Sequence, residues 1–372
     1  MRESLDLKFM KMAITNAKRG EGIVSPNPFV GAVIVKDGKV VSTAYHRGYN
    51  TKHAEVIAIE RAGGLAKDST LYVTLEPCCH VGSNPPCTSA IINAGIERVV
   101  FASQDPNPLV KACNSTNLLE QKGITVTRDV LKADADYLNR VFFKYIVEQI
   151  PYVTLKIAQT IDGKIADYLG NSKWISNEFS REEVQKLREE HDAVVVGSTT
   201  VLKDDPRLTI RRRSTRINPQ KNKQIIKVII DKDLQIPLEA KLFDGSKVII
   251  ITAEENKDSA KVNSCIAKNA EVLFFKTDSG SFNFREILKV LGAKKITSIL
   301  VEGGNQTAFS LLKENLVDRL LVFSAPLLSM DNNSLSGLTG HLDGRTIETF
   351  QRYKLKTIKR LGDDVFMEYL RG

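Results

Sequence analysis

Apolar residues Leu5, Phe9, Met12, Ala13 and Ala17 recur at helical spacing near the start of the chain and predict a helix from Leu5 to Lys18. Two apolar runs follow, Phe29 to Val35 and Val40 to Ala44. They predict a hairpin about Asp37-Gly38, since such a pair accepts the positive φ of a tight turn. A helix is predicted from His53 to Arg61, a buried strand from Thr70 to Leu75, a helix beginning at Thr88 and a strand from Arg98 to Ala102. The alternation continues through Leu118 and Ile124 to Thr127, and then a helix from Ala133 to Val147 stops short of Pro151.

Past Pro151 the pattern restarts. Strands are predicted at Tyr152 to Ala158, Ala193 to Gly197, Lys227 to Ile230, Lys247 to Thr252, Glu271 to Phe274 and Ser298 to Val301, with helices across Ser180 to Glu190 and around Phe284 to Leu291. The tail is strand-rich: Arg319 to Phe323, Lys354 to Leu361 and Val365 to Tyr369. Repeated strand–helix units predict α/β domains, the second with a largely parallel sheet and an antiparallel edge. At 372 residues the chain is too long for one ordinary core, and the expected division is 1–148 and 149–372. There is no internal repeat and no low-complexity segment.

Composition is that of a globular protein, with 42% hydrophobic and 26% charged residues, so a disordered chain is excluded. The first twelve residues mix charges among apolar residues and lack a signal-peptide core, and no apolar run has the length of a membrane span. Five cysteines, an odd number, fit a reducing compartment better than a disulfide framework, and a cytoplasmic location is expected. The net charge of +9 matters less than its distribution. From Pro206 to Ile230 there are eight basic residues and no acidic one, including Arg207, Arg211, Arg212, Arg213, Arg216, Lys221, Lys223 and Lys227. A cationic loop of this kind fits a phosphorylated small molecule, or is simply solvated. Without interleaved aromatics or a recognition module it does not read as a nucleic-acid surface.

The chemistry concentrates in His53-Ala54-Glu55 and in Glu76-Pro77-Cys78-Cys79-His80 through Pro85-Pro86-Cys87. His53, Cys78 and Cys87 are three zinc donors that leave one tetrahedral position for water, whose pKa such a metal brings down to roughly 7. In zinc deaminases a glutamate that is not a ligand carries protons from that water to the departing ammonia, and Glu55 stands at the required H-x-E spacing. The second cysteine usually follows three positions after the first, whereas here it follows nine. Pro85-Pro86 stiffens the longer loop. Cys79 and His80 compete with Cys78 on composition, but neighbours in an extended segment point to opposite sides, which favours Cys78 over Cys79. The alternative is a structural zinc site or a buried thiol cluster, against which Glu55 counts.

A second candidate site lies after strand Ser298 to Val301, where Glu302-Gly303-Gly304-Asn305-Gln306-Thr307 leads into an apolar helix. A glycine pair at a helix start lets phosphate approach free N–H groups, with a plain tight turn as the alternative, and the absent G-x-G-x-x-G fingerprint argues against a Rossmann cofactor domain. Strand Ala193 to Gly197 likewise delivers Ser198-Thr199-Thr200, then Asp204-Asp205-Pro206, to a sheet edge, with helix capping by Ser198 and Asp204 as the alternative. Trp174, the single tryptophan, reads first as a core or rim packing residue.

Taken together the two halves resemble the bifunctional riboflavin-biosynthesis family that joins a pyrimidine deaminase to a reductase. The resemblance covers nearly the whole chain and rests on specific strings. In the first half these are Pro26-Asn27-Pro28-Phe29-Val30-Gly31, His53-Ala54-Glu55, Thr74-Leu75-Glu76-Pro77-Cys78, Pro85-Pro86-Cys87 and Asp105-Pro106-Asn107-Pro108. In the second they are Val153-Thr154-Leu155-Lys156-Ile157-Ala158, Asp162-Gly163-Lys164, Ser172-Lys173-Trp174-Ile175-Ser176, Val196-Gly197, Thr200-Val201-Leu202-Lys203-Asp204-Asp205-Pro206 and Glu302-Gly303-Gly304.

The resemblance implies a cytidine-deaminase-like three-layer domain followed by a dihydrofolate-reductase-like domain that uses NADPH. It implies a phosphoribosylated pyrimidine substrate, 2,5-diamino-6-(5-phosphoribosylamino)pyrimidin-4(3H)-one, which is deaminated, after which the ribosyl group of the product is reduced to ribityl. By position, Zn2+ falls to His53, Cys78 and Cys87 with Glu55 as proton shuttle, and Asn27, His46 and His80 become substrate contacts. In the reductase, Ser172, Arg188, Leu208, Arg211 and Glu302 face substrate, and Ala158, Trp174, Thr200, Asp204 and the turn Gly304, Asn305 and Gln306 face NADPH. Asp204 and Glu302 are the candidate proton donors for the reduction. No nucleic acid and no membrane are expected as partners, and a homo-oligomer is an assembly the sequence leaves open. Two departures stand out: Ser83-Asn84 where the family carries a basic residue and threonine, and Lys111-Ala112-Cys113-Asn114-Ser115 where it carries glycines. A deaminase acting on a nucleic-acid base is the competing reading, but it leaves the second half without a role. A chain in which these departures abolish deamination and leave reduction is the other.

Overall fold

The computed structural model describes residues 2–80, 85–211, 224–338, 344 and 346–372, and the chain forms two compact units, Met1–Gln149 and Ile150–Gly372. The first contains α1 (Arg2–Ala17), β1 (Gly31–Lys36), β2 (Lys39–Tyr45), α2 (Ala54–Ala62), β3 (Thr70–Leu75), α3 (Cys87–Asn93), β4 (Arg98–Ser103), α4 (Pro108–Cys113), α5 (Ser115–Gln121), β5 (Thr125–Thr127) and α6 (Lys132–Glu148). Its sheet runs β2-β1-β3-β4-β5, with β1 antiparallel to both neighbours and β3, β4 and β5 parallel.

Alternation along the strands divides the apolar side chains between two faces. Ala32, Ile34, Leu71, Val73, Val99 and Phe101 meet Ala54, Ala58 and Ala62 of α2, Ile91 of α3 and Leu119 of α5. Val33, Val35, Tyr72, Val100 and Ala102 meet Phe9, Met10, Ala13 and Ile14 of α1 and Ala135 of α6. The result is a helix–sheet–helix sandwich in which one fully buried phenylalanine such as Phe101 contributes roughly 1.5–3 kcal/mol. Under α1 the backbone of β1 comes so close that a Cβ on Gly31 would collide with the Ala13 carbonyl and stand 2.6 Å from the Ala17 nitrogen. Asp37 and Gly38 take φ values of 50° and 72°, as the predicted hairpin requires.

The second unit contains β6 (Tyr152–Gln159), β7 (Lys164–Ala166), α7 (Glu178–Glu190), β8 (Ala193–Gly197), α8 (Ser198–Asp204), β9 (Ile226–Ile230), β10 (Val248–Ala253), α9 (Ala260–Ala267), β11 (Ala270–Phe275), the short ribbon β12 (Thr277–Asp278) and β13 (Ser281–Phe282), α10 (Phe284–Ala293), β14 (Ser298–Val301), α11 (Asn305–Lys313), β15 (Arg319–Ser324), β16 (Leu335–Ser336), β17 (Tyr353–Leu361) and β18 (Asp364–Arg371). Nine strands form one sheet in the order β11-β10-β9-β8-β14-β6-β15-β18-β17. From β11 to β15 all are parallel, and β18 and β17 close the edge antiparallel. α10 and α11 pack on one face, α9 on the other, and α7 covers Leu300, Leu321, Phe323 and Phe366. Among the described residues, no helix is long and apolar enough to cross a membrane.

Several expectations need correction. Cys79 and Cys113 are joined as a disulfide, so the cysteines are not all free thiols, and the crosslink turns Cys79 away from the metal motif. Trp174 is no core residue: it is 71% exposed, with the Arg181 guanidinium 4.6 Å from its ring. Ser198 opens α8 and Asp204 closes it, with Gly197 at the N-cap, so neither residue caps the helix start. Lys227 does not belong to a cationic surface, because it sits inside β9 with its ammonium donating to the Leu242 carbonyl and to Asp244, each at 2.7 Å. The rest of the basic stretch from Arg212 to Lys223 lies outside the described residues.

In the first unit, Arg98 on β4 forms a buried bidentate pair with Asp6 of α1 at 2.7–2.8 Å, and Tyr72 donates to the same carboxylate at 2.7 Å. Removing one member strands a buried charge, so Asp6→Ala is expected to lower the first unit's stability by about 3–5 kcal/mol, read as a shift of its urea unfolding transition.

Candidate active sites

In the first unit, His53 occupies the N-cap of α2 with an extended backbone, which places its ring beside the first turn, and Glu55 lies in that turn. Cys78 follows β3, and Cys87 is the first residue of α3. Two bonds bring Cys78 and the start of α3 together: Thr88 N–H to the Cys78 carbonyl at 3.1 Å, and Cys87 N–H to Cys78 Sγ at 3.4 Å. His53 Nδ1 consequently stands 3.1 Å from Cys87 Sγ and 3.5 Å from Cys78 Sγ, and the three donor atoms lie within 4.8 Å of one another. An N–S edge of a zinc tetrahedron built from ordinary bond lengths is about 3.5 Å. The donors therefore fit the metal in type and spacing.

The protonation of the cluster follows from the same contacts. Hydrogen bonding from Cys87 and then His53 holds the Cys78 thiol down, to about 4, while Cys87, tied to Cys78 and buried, is pushed well above the usual thiol range. His53 is raised to about 9, chiefly by its bond to Cys78. The metal-free cluster thus favours one thiolate within the Cys78–Cys87 pair, on the side of Cys78, which accepts the Cys87 N–H, together with a protonated His53. Glu55 is 4% exposed; burial pushes its carboxyl up, and its Oε2 has no hydrogen-bond partner among the described residues.

Around this cluster, Asn27 Nδ2 lies 3.0 Å from His46 Nε2, and His46 Nδ1 is 3.3 Å from the Lys52 carbonyl. A carbonyl only accepts, so Nδ1 carries the proton and Nε2 accepts from Asn27; burial lowers the His46 pKa and keeps the ring neutral. The His46 and His53 rings meet edge to face at 5.8 Å. His80 Nδ1 is buried with no partner among the described residues. Asp105, after β4, is pushed up to about 6 by burial, and its N–H donates to Glu76. Ser83 and Asn84 lie outside the described residues.

In the second unit the candidates gather where β6, β8 and β14 end on one side of the sheet, the edge at which open α/β sheets bind ligands. After β14, Gly304 takes φ 89° and serves as N-cap of α11 without a side-chain cap. A Cβ on Gly303 would stand 2.8 Å from Thr200 Oγ1, so the turn after β14 fits closely against α8. Asn305 Oδ1 is buried and has no partner among the described residues. Uncapped N–H groups at Asn305 and Gln306, an unsatisfied polar atom and a close-fitting glycine turn suit a cofactor's pyrophosphate. Ser172 Oγ donates to Asp204 Oδ2 at 3.3 Å, and Lys173 Nζ donates to the Asp204 carbonyl at 3.0 Å, which brings two more predicted residues together.

Arg188 and Glu302 also meet, but as partners of each other. Arg188 Nε and Nη2 donate to the two Glu302 oxygens at 2.5 and 2.7 Å, and Nη1 donates to the Thr209 carbonyl at 2.8 Å. Arg188 is therefore neither a solvated charge nor an unpaired phosphate ligand. Leu208 is buried with φ 54°, so any contact it makes at the surface is through its main chain. Arg211 is exposed, its N–H donating to Gln185 at 2.7 Å. Ala158 lies near the end of β6, paired with Phe323.

Sequence reasoning passed over Lys156. It lies on β6, two residues before Ala158, with its ammonium 5.8 Å from the Phe323 ring; burial pushes its pKa down, and Glu302 acts against that shift. The available signal was a lysine inside an apolar strand, Val153 to Ala158.

A zinc-dependent deaminase followed by an NADPH-dependent reductase is the class of enzyme that these folds and sites define. Residues 3–103 match the cytidine and deoxycytidylate deaminase zinc-binding region, and residues 151–367 match the RibD C-terminal domain. The chain belongs to the riboflavin biosynthesis protein RibD family. It is 43% identical to the RibD of Aquifex aeolicus, with 100% of both chains covered, and 37% identical to that of Escherichia coli over 97% of this chain and 98% of that one. Its structure is similar to the diaminohydroxyphosphoribosylaminopyrimidine deaminase/5-amino-6-(5-phosphoribosylamino)uracil reductase of Thermotoga maritima, with TM-score 0.86, 33% identity and 100% of both chains covered. It also resembles RibD of Acinetobacter baumannii, with TM-score 0.87 and 32% identity over 100% of this chain and 99% of that one.

Because ligands bind metal deprotonated, zinc entering at pH 7 displaces the His53 proton and the one proton held by the Cys78–Cys87 pair. Titration calorimetry of apoprotein in buffers of different ionisation enthalpy is expected to return about two protons released per zinc. Zinc affinity should fall as the pH is lowered, with the strongest dependence below the His53 value of about 9.

Proposed function

We propose that the first unit deaminates 2,5-diamino-6-(5-phosphoribosylamino)pyrimidin-4(3H)-one, and that the second reduces the ribosyl group of the resulting 5-amino-6-(5-phosphoribosylamino)uracil to ribityl. The observation that carries the first half is the close grouping of His53, Cys78 and Cys87 beside the buried Glu55 carboxyl, whose Oε2 has no partner among the described residues. When bound, zinc supplies a water of pKa roughly 7 at the open position. Glu55 takes the proton of that water and hands it to the leaving amino group, which departs as ammonia; its raised pKa keeps it able to hold the proton in between. Asn27, with its amide fixed by neutral His46, and His80, with Nδ1 free to bond, orient the pyrimidine.

In the second unit the start of α11 and Thr200 hold the NADPH phosphates, with Asp204, Trp174 and Ala158 along the cofactor, and Ser172, Leu208 and Arg211 at the substrate. The cofactor supplies hydride to the anomeric carbon. Opening ribosyl to ribityl breaks the bond from that carbon to the ring oxygen, and the oxygen must gain a proton. Glu302 is held as an ion pair by Arg188, which disfavours it as the source. Lys156 is the cationic donor beside it, with burial easing loss of its proton. We place the enzyme in the cytoplasm, where NADPH is regenerated.

Zinc-assayed protein given the diaminopyrimidinone should release ammonia and then consume NADPH; folded, zinc-loaded protein that does neither would overturn the assignment. Glu55→Gln is expected to keep zinc, lose deamination by about 10²-fold or more and leave reduction of the deaminated substrate intact. Lys156→Met should lower kcat of the reduction by about 10²-fold with little change in NADPH affinity, checked by stopped-flow oxidation alongside a binding titration.

A further inference from the structure

The metal loop is fastened from outside by a feature that neither reaction uses. Cys79, next to the proposed ligand Cys78, is joined to Cys113 at the end of α4, with their Cα atoms 6.0 Å apart and a separation of 34 in sequence. Both residues are partly exposed, so a small reagent can reach them. A second tie spans the same elements: Glu76, at the start of the loop, accepts Ser115 Oγ–H at 2.6 Å and Asp105 N–H at 3.3 Å. Asn114 between them takes φ 47° and caps α5 through Asn117 N–H, which turns the chain sharply so that Cys113 and Ser115 both reach the loop.

We propose that Cys79 and Cys113 form a reversible redox site, and that their crosslink holds the metal loop of the first unit in its ligand-gathering shape. The oxidant is a low-molecular-weight disulfide. One protein thiolate attacks a sulfur of that disulfide and expels a small thiol; the second thiolate attacks the resulting mixed disulfide and expels the other. Two protein thiols thereby lose two protons and two electrons, and the small disulfide leaves as two thiols. Excess small thiol reverses both steps. The polar tie through Glu76 does not depend on the crosslink, so reduction releases the segment carrying Cys78 at Cys79 and leaves it held at Glu76. A crosslink of this kind in a reducing compartment is characteristically transient and redox-sensing.

The consequence for deamination rests on the function proposed above, and the test therefore includes two readouts that do not. Zinc-loaded full-length protein is equilibrated across ratios of reduced to oxidised glutathione, alkylated after denaturation and mapped by mass. In parallel, zinc transfer to a chromogenic chelator, ammonia release and NADPH oxidation on the deaminated substrate are followed. The expected result is a Cys79–Cys113 crosslink that forms and reverses with the ratio, with zinc transfer several-fold slower in the crosslinked form. Deamination KM should be several-fold lower in that form, and NADPH oxidation the same in both.

Cys113→Ser should remain at the reduced values at every ratio while keeping its zinc. Absence of the crosslink at all ratios, equal zinc transfer in the two forms, or an undiminished response in Cys113→Ser would overturn the proposal. Ammonia release from neither form, with the crosslink and the zinc difference present, would count against the assigned reaction and leave the redox site standing.

Discussion

Parallel pairing of neighbouring strands is the constraint on which both sites depend. It carries the C-terminal ends of β3 and β4 to one edge of the first sheet, and those of β6, β8 and β14 to one edge of the second. Each strand end releases the chain into a short loop and a helix start, where unpaired N–H groups and polar side chains collect. Cys78 and Asp105 are set by the first pair of ends, and Thr200, Glu302 and Gly304 by the second group. In the first sheet β2, antiparallel to β1 and so running the same way as β3, hands the chain to His46 and to the His53 N-cap of α2, whereas β17 and β18 extend the second sheet without contributing a cofactor turn.

Within this frame, polar chemistry is admitted to the interior only in satisfied sets, with a few deliberate exceptions. Arg98 with Asp6 and Tyr72, Arg319 with Glu368, and Lys227 with Asp244 are buried and paired, as the cost of an isolated charge in a low-dielectric interior demands. The atoms left without partners among the described residues include Glu55 Oε2, His80 Nδ1 and Asn305 Oδ1, which belong to proposed sites, and Thr88 Oγ1 and Arg98 Nε, which do not. At the three site residues the unmet hydrogen-bonding capacity is what a bound ligand would complete.

Much of this was legible in the residues. Strands Thr70 to Leu75, Ala193 to Gly197 and Ser298 to Val301 have the predicted limits, because a continuous apolar run bounded by turn residues has one compact solution. His53, Cys78 and Cys87 could be grouped before any coordinates, since few other roles fit a histidine and two cysteines in that order. What pattern alone could not carry was pairing across long separations. Arg188 gave no sign of its ion pair because its partner Glu302 is 114 positions away, and Cys79 gave no sign of Cys113 because the sharp turn at Asn114 is a local conformation without an apolar signature. Lys156 was hidden for the opposite reason: it lies inside a strand whose neighbours are all packing residues. Helices α8 and α9 were passed over because each is short, with seven and eight residues, too few for a helical pattern to be read with certainty.

The contact between Gly31 and α1 has a consequence for anyone redesigning this protein. Elsewhere in the first unit, layer spacing is a matter of side-chain volume and can be renegotiated by swapping large residues for small ones across the interface. Beneath α1 the helix rests on the main chain of β1 itself, and the separation of those two layers is a fixed dimension that no choice of side chain can widen without displacing the helix. Engineering of that face is limited to residues on either side of this point, with Gly31 as the fulcrum about which α1 could tilt but not lift.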